Sequence, residues 1–162
     1  METIHLPQLL KMPERTMVLR LCHRIAGLDT LTPVRGLFTI RHGGNFIELS
    51  LVADTIITLV CDRCLQTFNH RLSVDTSEII YLKEEPQNPL PEREITWEEL
   101  CETLPPDSEF LIEDWIYQQL CLALPLRNIC SNNCSIPPYS STGPEVDSRW
   151  SALAQLKHLL PD

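Results

Sequence analysis

The sequence predicts an α+β fold: an antiparallel, β-rich N-terminal half, formed as a curved sheet or partial barrel, followed by a C-terminal helical part. Three observations lead to this class. Apolar and polar residues alternate with period two across residues 46–60, as in a strand with one buried face. Gly43-Gly44 separates two strand-like runs, which is a hairpin signal. Beyond residue 105 the apolar residues recur at helical spacing instead.

The N-terminal half supplies the predicted sheet. Residues 1–16 contain two prolines and little periodicity, so we predict an N-terminal arm or leading loop there. Residues 17–82 are predicted to form the antiparallel sheet, because four segments carry Val-, Ile-, Leu- and Thr-rich patterns that favour strands. The predicted strands are residues 17–25, 34–41, 46–60 and 68–82.

The C-terminal half is predicted to hold a linker and two helices. Residues 84–94 are acidic and contain three prolines, which is typical of a solvated linker. Residues 107–138 are predicted to contain a helix, which stops at Pro125, and then a second cysteine loop. Residues 147–160 form an amphipathic helix pattern, which either packs on the sheet or docks in a partner's groove. The apolar side of that last helix comprises Trp150, Leu153, Leu156 and Leu160.

The net charge of −9 is concentrated in the middle of the chain. Residues 76–116 carry 2 basic and 12 acidic side chains, whereas residues 1–75 carry 8 of the 13 Lys and Arg. Such a chain is not a general phosphate-binding protein, because anionic backbones are held mainly by basic side chains. The acidic segment suits either a solvated surface or a basic partner. Any contact with RNA or a partner through basic groups is therefore assigned to Arg35, Arg41, Arg63 and Arg71.

Four of the seven cysteines form two close pairs. The pairs are Cys61 with Cys64, and Cys130 with Cys134. Structural zinc takes four tetrahedral ligands, commonly from two such chelating pairs, so these cysteines are predicted to bind a structural Zn²⁺. The metal would join the tip of the sheet to the loop after the helix. Two alternatives stay open: packed thiols without metal, and a redox dithiol at Cys61 and Cys64, although that pair links two strands rather than opening a helix.

Other catalytic patterns are missing from the sequence. It contains no phosphate-binding glycine loop, nucleophile elbow or HExxH motif, so we predict no enzymatic activity and no catalytic residues. We expect a cytosolic protein, because no signal-peptide pattern and no apolar run of membrane-spanning length is present. The sequence leaves the oligomeric state open.

The order of these motifs resembles a known family. Cys61-Asp62-Arg63-Cys64-Leu65 after a β-rich segment resembles the CxRC signature of the YceD-like proteins, the large ribosomal RNA subunit accumulation proteins. Leu122-Ala123-Leu124-Pro125, the second cysteine pair and the segment from Trp150 to Lys157 fit the same order. Leu31-Thr32-Pro33-Val34-Arg35-Gly36 resembles the cyanobacterial branch, which is related to plastid members.

The resemblance implies a function in ribosome biogenesis. Family members act without catalysis in the synthesis, processing or stability of 23S rRNA. The implied partners are a pre-ribosomal large-subunit particle, 23S rRNA or a basic ribosomal protein, in a bacterial, cyanobacterial cytoplasm and without membrane attachment. A thiol-disulfide oxidoreductase and an rRNA-processing nuclease are the alternative hypotheses.

Overall fold

A computed structural model describes residues 3–84 and 100–137, and a five-stranded sheet forms its body. The elements in chain order are β1 (Thr3–His5), α1 (Leu6–Leu9), a 3-10 turn (Pro13–Arg15), β2 (Thr16–His23), β3 (Val34–His42), β4 (Phe46–Val60), β5 (Thr67–Leu82), β6 (Thr103–Leu104), β7 (Glu109–Leu111) and α2 (Ile112–Leu122).

The main sheet has the strand order β2-β3-β4-β5-β6. Its four long strands are antiparallel neighbours in sequence order, which confirms the predicted antiparallel N-terminal half. The short strand β6 pairs in parallel with β5, so the sheet is mixed. The sheet does not close into a barrel. The helical part is smaller than predicted, since α2 has 11 residues.

Strands β4 and β5 form the longest pair and bury one face. The predicted strand at residues 46–60 is confirmed at both ends, and its odd positions alternate with more exposed even ones. Gly43 donates its backbone N–H to the Phe46 carbonyl at 2.8 Å, closing the predicted hairpin between β3 and β4. Pairing between β4 and β5 continues to Val60 and Thr67, so the connecting turn lies at the far tip of both strands.

Helix α2 packs on the buried face of the sheet. The Trp115 ring lies 5.6 Å from the Phe38 ring, centroid to centroid. The indole N–H of Trp115 donates a hydrogen bond to Glu78 at 2.7 Å, and Gln119 contacts the same carboxylate at 3.3 Å. These contacts fix the helix on β5, and the chain leaves its C-terminal end toward the second cysteine pair.

Within residues 107–138, the predicted helix begins only at Ile112. Residues 109–111 are extended and form β7, which pairs antiparallel with β1 and places Phe110 opposite Ile4. Both side chains are buried, so a nonlocal strand pair replaces the first helical turn. The helix ends at Leu122, three residues before Pro125, in agreement with the helix-breaking effect of proline.

The N-terminal segment is more structured than an arm or leading loop. Strand β1 joins β7, and Leu6 donates its backbone N–H to the Ser108 carbonyl at 3.1 Å. Leu6 and Leu9 on α1 are fully buried and belong to the apolar core. None of the helices in the described part of the chain is both long and apolar enough to cross a membrane. The predicted helix at 147–160, and all of the predicted linker except residue 84, lie outside the described residues.

Candidate metal centre

The first cysteine pair lies in the tight turn between β4 and β5. Cys61 donates its backbone N–H to the Gln66 carbonyl at 2.9 Å, and Leu65 donates to the Cys61 carbonyl at 2.9 Å. Leu65 has a φ of 62°, in the left-handed region that costs a side-chain-bearing residue about 1–2 kcal/mol. The turn therefore holds both thiols at the sheet tip. At Leu65 its backbone has a conformation that glycine would adopt more easily.

The second cysteine pair follows α2 and docks against this turn. Asp62 donates its backbone N–H to the Asn128 carbonyl at 2.8 Å, and Asn128 donates its own to the Asp62 carboxylate at 2.7 Å. Arg63 donates to the carbonyls of Asn132 and Cys134 at 2.9 and 3.2 Å. Both residues between Cys61 and Cys64 thus bind the second loop. Sequence reasoning missed this, because the direction of loop carbonyls leaves no mark in the residue pattern.

The structure brings the four predicted cysteines together. Their Sγ atoms all lie within 4.8 Å of one another. Two of the separations cross between the two loops: 3.5 Å for Cys64 and Cys130, and 3.8 Å for Cys61 and Cys134. A tetrahedral zinc with Zn–S bonds of about 2.3 Å separates its sulfur atoms by about 3.8 Å. The donor set and its spacing therefore fit one tetrahedral, thiolate-preferring metal ion.

The electrostatic environment favours a thiolate at the buried end of the cluster. Backbone N–H groups, first that of Cys64 and then that of Cys130, lower the pKa of Cys61 to about 6. One of them, the N–H of Cys130, lies 3.4 Å from the Cys61 sulfur. A side-chain hydrogen bond to Cys64, together with burial, raises the pKa of Cys130 to about 12. A bound cation would supply the positive charge that lets all four sulfurs ionise together.

The remaining predicted contact residues occupy other places. Arg35, Arg41 and Arg71 project from the solvent-facing side of the sheet, away from the core. Arg41 forms an ion pair with Glu48 at 2.6 Å, and Arg71 lies 3.5 Å from Asp54. This face therefore alternates charge rather than presenting a purely basic surface. Trp150, Leu153, Leu156 and Leu160 lie outside the described residues.

The four-cysteine cluster is the single group of three or more His, Cys, Asp or Glu side chains that could hold a metal among residues 3–84 and 100–137. Cys22 and Cys101 are exposed, and Cys121 lies in α2 away from the cluster in sequence. The two pairs were recognisable beforehand because chelating spacing is local, and a four-ligand site requires both pairs to meet.

Comparison with protein families matches residues 49–157 to the family described as "Large ribosomal RNA subunit accumulation protein YceD". The match begins within β4, includes all four clustered cysteines and covers more than half of the chain. Neither the comparison with curated proteins nor that with solved structures gave a significant match. The resemblance expected from the order of motifs is confirmed: the chain belongs to the YceD family of large ribosomal RNA subunit accumulation proteins.

Proposed function

We propose that this protein is a non-enzymatic ribosome biogenesis factor that promotes the synthesis, processing or stability of 23S rRNA in a bacterial, cyanobacterial cytoplasm. The observation that carries this proposal is the family match over residues 49–157, whose description concerns accumulation of large-subunit rRNA. Among the described residues one cluster could hold a metal, and its four soft ligands suit a structural rather than a catalytic ion.

The proposed ion is Zn²⁺, held by Cys61, Cys64, Cys130 and Cys134. Four thiolates would fill its coordination shell and leave no open position for substrate or water. Its contribution would be to fix the second loop against the sheet tip, closing a loop whose ends, Cys61 and Cys134, are 73 residues apart in sequence. Arg63 and Asp62 would support this junction through their hydrogen bonds to the second loop.

The proposed partner is a pre-ribosomal large-subunit particle, contacted through a basic ribosomal protein or through 23S rRNA. Acidic side chains beside Arg41 and Arg71 reduce the attraction of the sheet's outer face for bare phosphates. The acidic segment at residues 76–116 complements a basic protein instead.

A deletion strain of the source organism tests the proposal. We expect the ratio of 23S to 16S rRNA to fall by about twofold or more, and the tagged full-length protein to sediment with large-subunit precursors. Complementation with the wild-type gene should restore the ratio. An unchanged ratio, with the protein present only in unbound fractions, would contradict the proposed function.

Metal analysis tests the proposed zinc separately. Protein purified without added zinc is expected to contain about one zinc per chain, and the Cys130→Ser variant should lose it. Cys22→Ser is the matched control, because Cys22 is an exposed thiol on β2 and not part of the cluster. Wild-type protein without bound metal would rule out the zinc site.

The thiol oxidoreductase remains a second candidate because one observation favours it, namely the lowered pKa of Cys61. Against it, Cys61 is fully buried, whereas an attacking thiolate must reach its substrate disulfide. We expect the metal-loaded protein to show no insulin-reduction activity. Insulin reduction that is lost in a Cys61→Ser variant would favour the oxidoreductase.

A further inference from the structure

A groove of about 560 Å³ lies beside the cysteine cluster. It is lined by both cysteine loops, and its walls are formed by Asp62, Arg63, Leu65, Arg127, Ile129, Ile136 and Pro137. The groove thus combines apolar side chains with two arginines, and its existence depends on the docking of the second loop onto the sheet tip.

The apolar groups of this groove are unusually open to solvent. Leu65 is 67% exposed and Ile136 is 74% exposed. Leu65 is also held in the left-handed backbone region, and only about a third of its side chain is covered, so packing within the described residues offsets little of the conformational cost. Grouped exposed apolar side chains of this kind mark surfaces that another segment covers.

We propose that residues 147–160 of the same chain occupy this groove, with Trp150, Leu153, Leu156 and Leu160 directed toward it. The proposal goes beyond the proposed function and does not depend on which metal is bound. The chain leaves the described region at Ile136 and Pro137, which are themselves groove walls, and the amphipathic segment begins at residue 147, ten positions after Pro137.

The connection is long enough for the segment to return to the groove. Trp150 follows Pro137 by 13 positions, and 13 residues can span up to about 45 Å. A short tether gives the segment an effective concentration of about millimolar at the groove, so weak apolar contacts suffice for occupancy. A free partner with the same affinity for the groove would need a concentration of about millimolar to compete with the tethered segment.

Two further observations support residues 147–160 as the occupant of the groove: the charges of the groove and the range of the family match. The groove walls hold two arginines, Arg63 and Arg127, and one carboxylate, that of Asp62. Arg63 already donates to carbonyls of the second loop, but it keeps its positive charge, so Glu145 and Asp147, which precede the apolar residues, complement the net charge of the groove. The family match runs from residue 49 to residue 157, so the groove and most of the amphipathic segment belong to one family unit. A segment that served only as a separate appendage would not need to be part of that unit.

Photo-crosslinking of the full-length protein tests this occupancy. Leu65 is replaced by benzoylphenylalanine, and crosslinked peptides are identified after irradiation of an equal mixture of isotopically light and heavy chains. We expect crosslinks from position 65 to residues 147–160 within single chains, with a yield that does not change on tenfold dilution. Crosslinks between light and heavy chains, or none to this segment, would overturn the proposal.

Two acid substitutions refine the test. Leu153→Asp with Leu156→Asp should reduce the crosslink yield at least fivefold, because the double variant removes two of the four apolar side chains that are proposed to face the groove. Gln155→Asp adds a carboxylate off the predicted apolar side and should leave the yield within twofold. Equal yields in all variants would show that the segment passes the groove without docking. Circular dichroism checks that each variant retains the sheet. If a variant fails to fold, the crosslinks of the otherwise wild-type chain still test the proposal.

Discussion

The sheet body and the cysteine end of this molecule are held together by different forces. The body buries side chains from every long strand, with Phe38, Leu49 and Ile80 almost fully inaccessible. The cysteine end is joined by a few hydrogen bonds and four converging thiols, and it leaves Leu65 and Ile136 exposed. Apolar burial is therefore the main stabilising contribution in the body, whereas the cysteine end is expected to depend on the proposed metal.

The largest effect is expected from a cavity in the body. Phe38→Ala should lower the free energy of unfolding by about 3–5 kcal/mol, because this fully buried ring packs on Trp115 and neighbouring residues cannot fill the space. Chemical denaturation followed by far-ultraviolet circular dichroism measures the change. Leu37→Ala, on the exposed face of the same strand, should cost less than about 1 kcal/mol. Equal costs for the two variants would mean that the sheet is not stabilised by one-sided burial.

Loss of the metal site should open the cysteine end and spare the body. In Cys130→Ser, amide exchange at residues 61–66 and 128–134 is expected to rise by about thirtyfold, equivalent to about 2 kcal/mol. Exchange in the middle of β4 should change by less than about threefold, since its neighbours β3 and β5 remain paired. Hydrogen exchange with mass spectrometry resolves both regions. Equal acceleration in β4 would show that the two regions unfold as one unit.

The two regions also differ in what the sequence could predict. Strand β4 was located correctly because period-two alternation is local, and the following turn could be assigned as the site of the first cysteine pair. Gly43 and Gly44 correctly predicted the hairpin between β3 and β4, because the structure requires glycine at both positions. A Cβ on Gly43 would lie 2.3 Å from the Phe46 ring, and Gly44 has a φ of +106°, which other residues rarely adopt. Both requirements arise within a few residues of the chain.

Nonlocal contacts account for what the sequence did not predict. Helix α2 begins only at Ile112 because β7 pairs with β1, more than 100 residues earlier in the chain. Convergence of the cysteines was predictable because a four-ligand site requires both pairs, however far apart they are. The hydrogen bonds of Arg63 to the second loop were not, since Arg63 was expected to reach outward toward RNA or a partner.

A smaller effect is expected at the contact that joins α2 to the body. Glu78→Ala would leave the buried indole N–H of Trp115 without its acceptor, and should cost about 1–3 kcal/mol of unfolding free energy. Glu78→Gln keeps an oxygen acceptor and should cost less. Denaturation gives both values, and metal analysis is expected to show unchanged zinc content. Loss of zinc in Glu78→Ala would show that helix seating and metal binding are coupled.

The smallest expected effect is a gain at the cysteine end. Leu65→Gly should relieve the left-handed strain of the turn by about 1 kcal/mol, reduced by the greater backbone freedom that glycine has in the unfolded chain. Its net effect on local opening, read from amide exchange at residues 61–66, is expected to be a two- to threefold slowing. Leu65→Ala is the matched control, because it removes the same apolar side chain but keeps the Cβ and hence the strain. If Leu65→Gly instead opens the turn as much as Leu65→Ala does, then contacts of the leucine side chain, such as those proposed with residues 147–160, stabilise this end by more than the strain costs. The cysteine end would in that case share the apolar stabilisation that otherwise distinguishes the body.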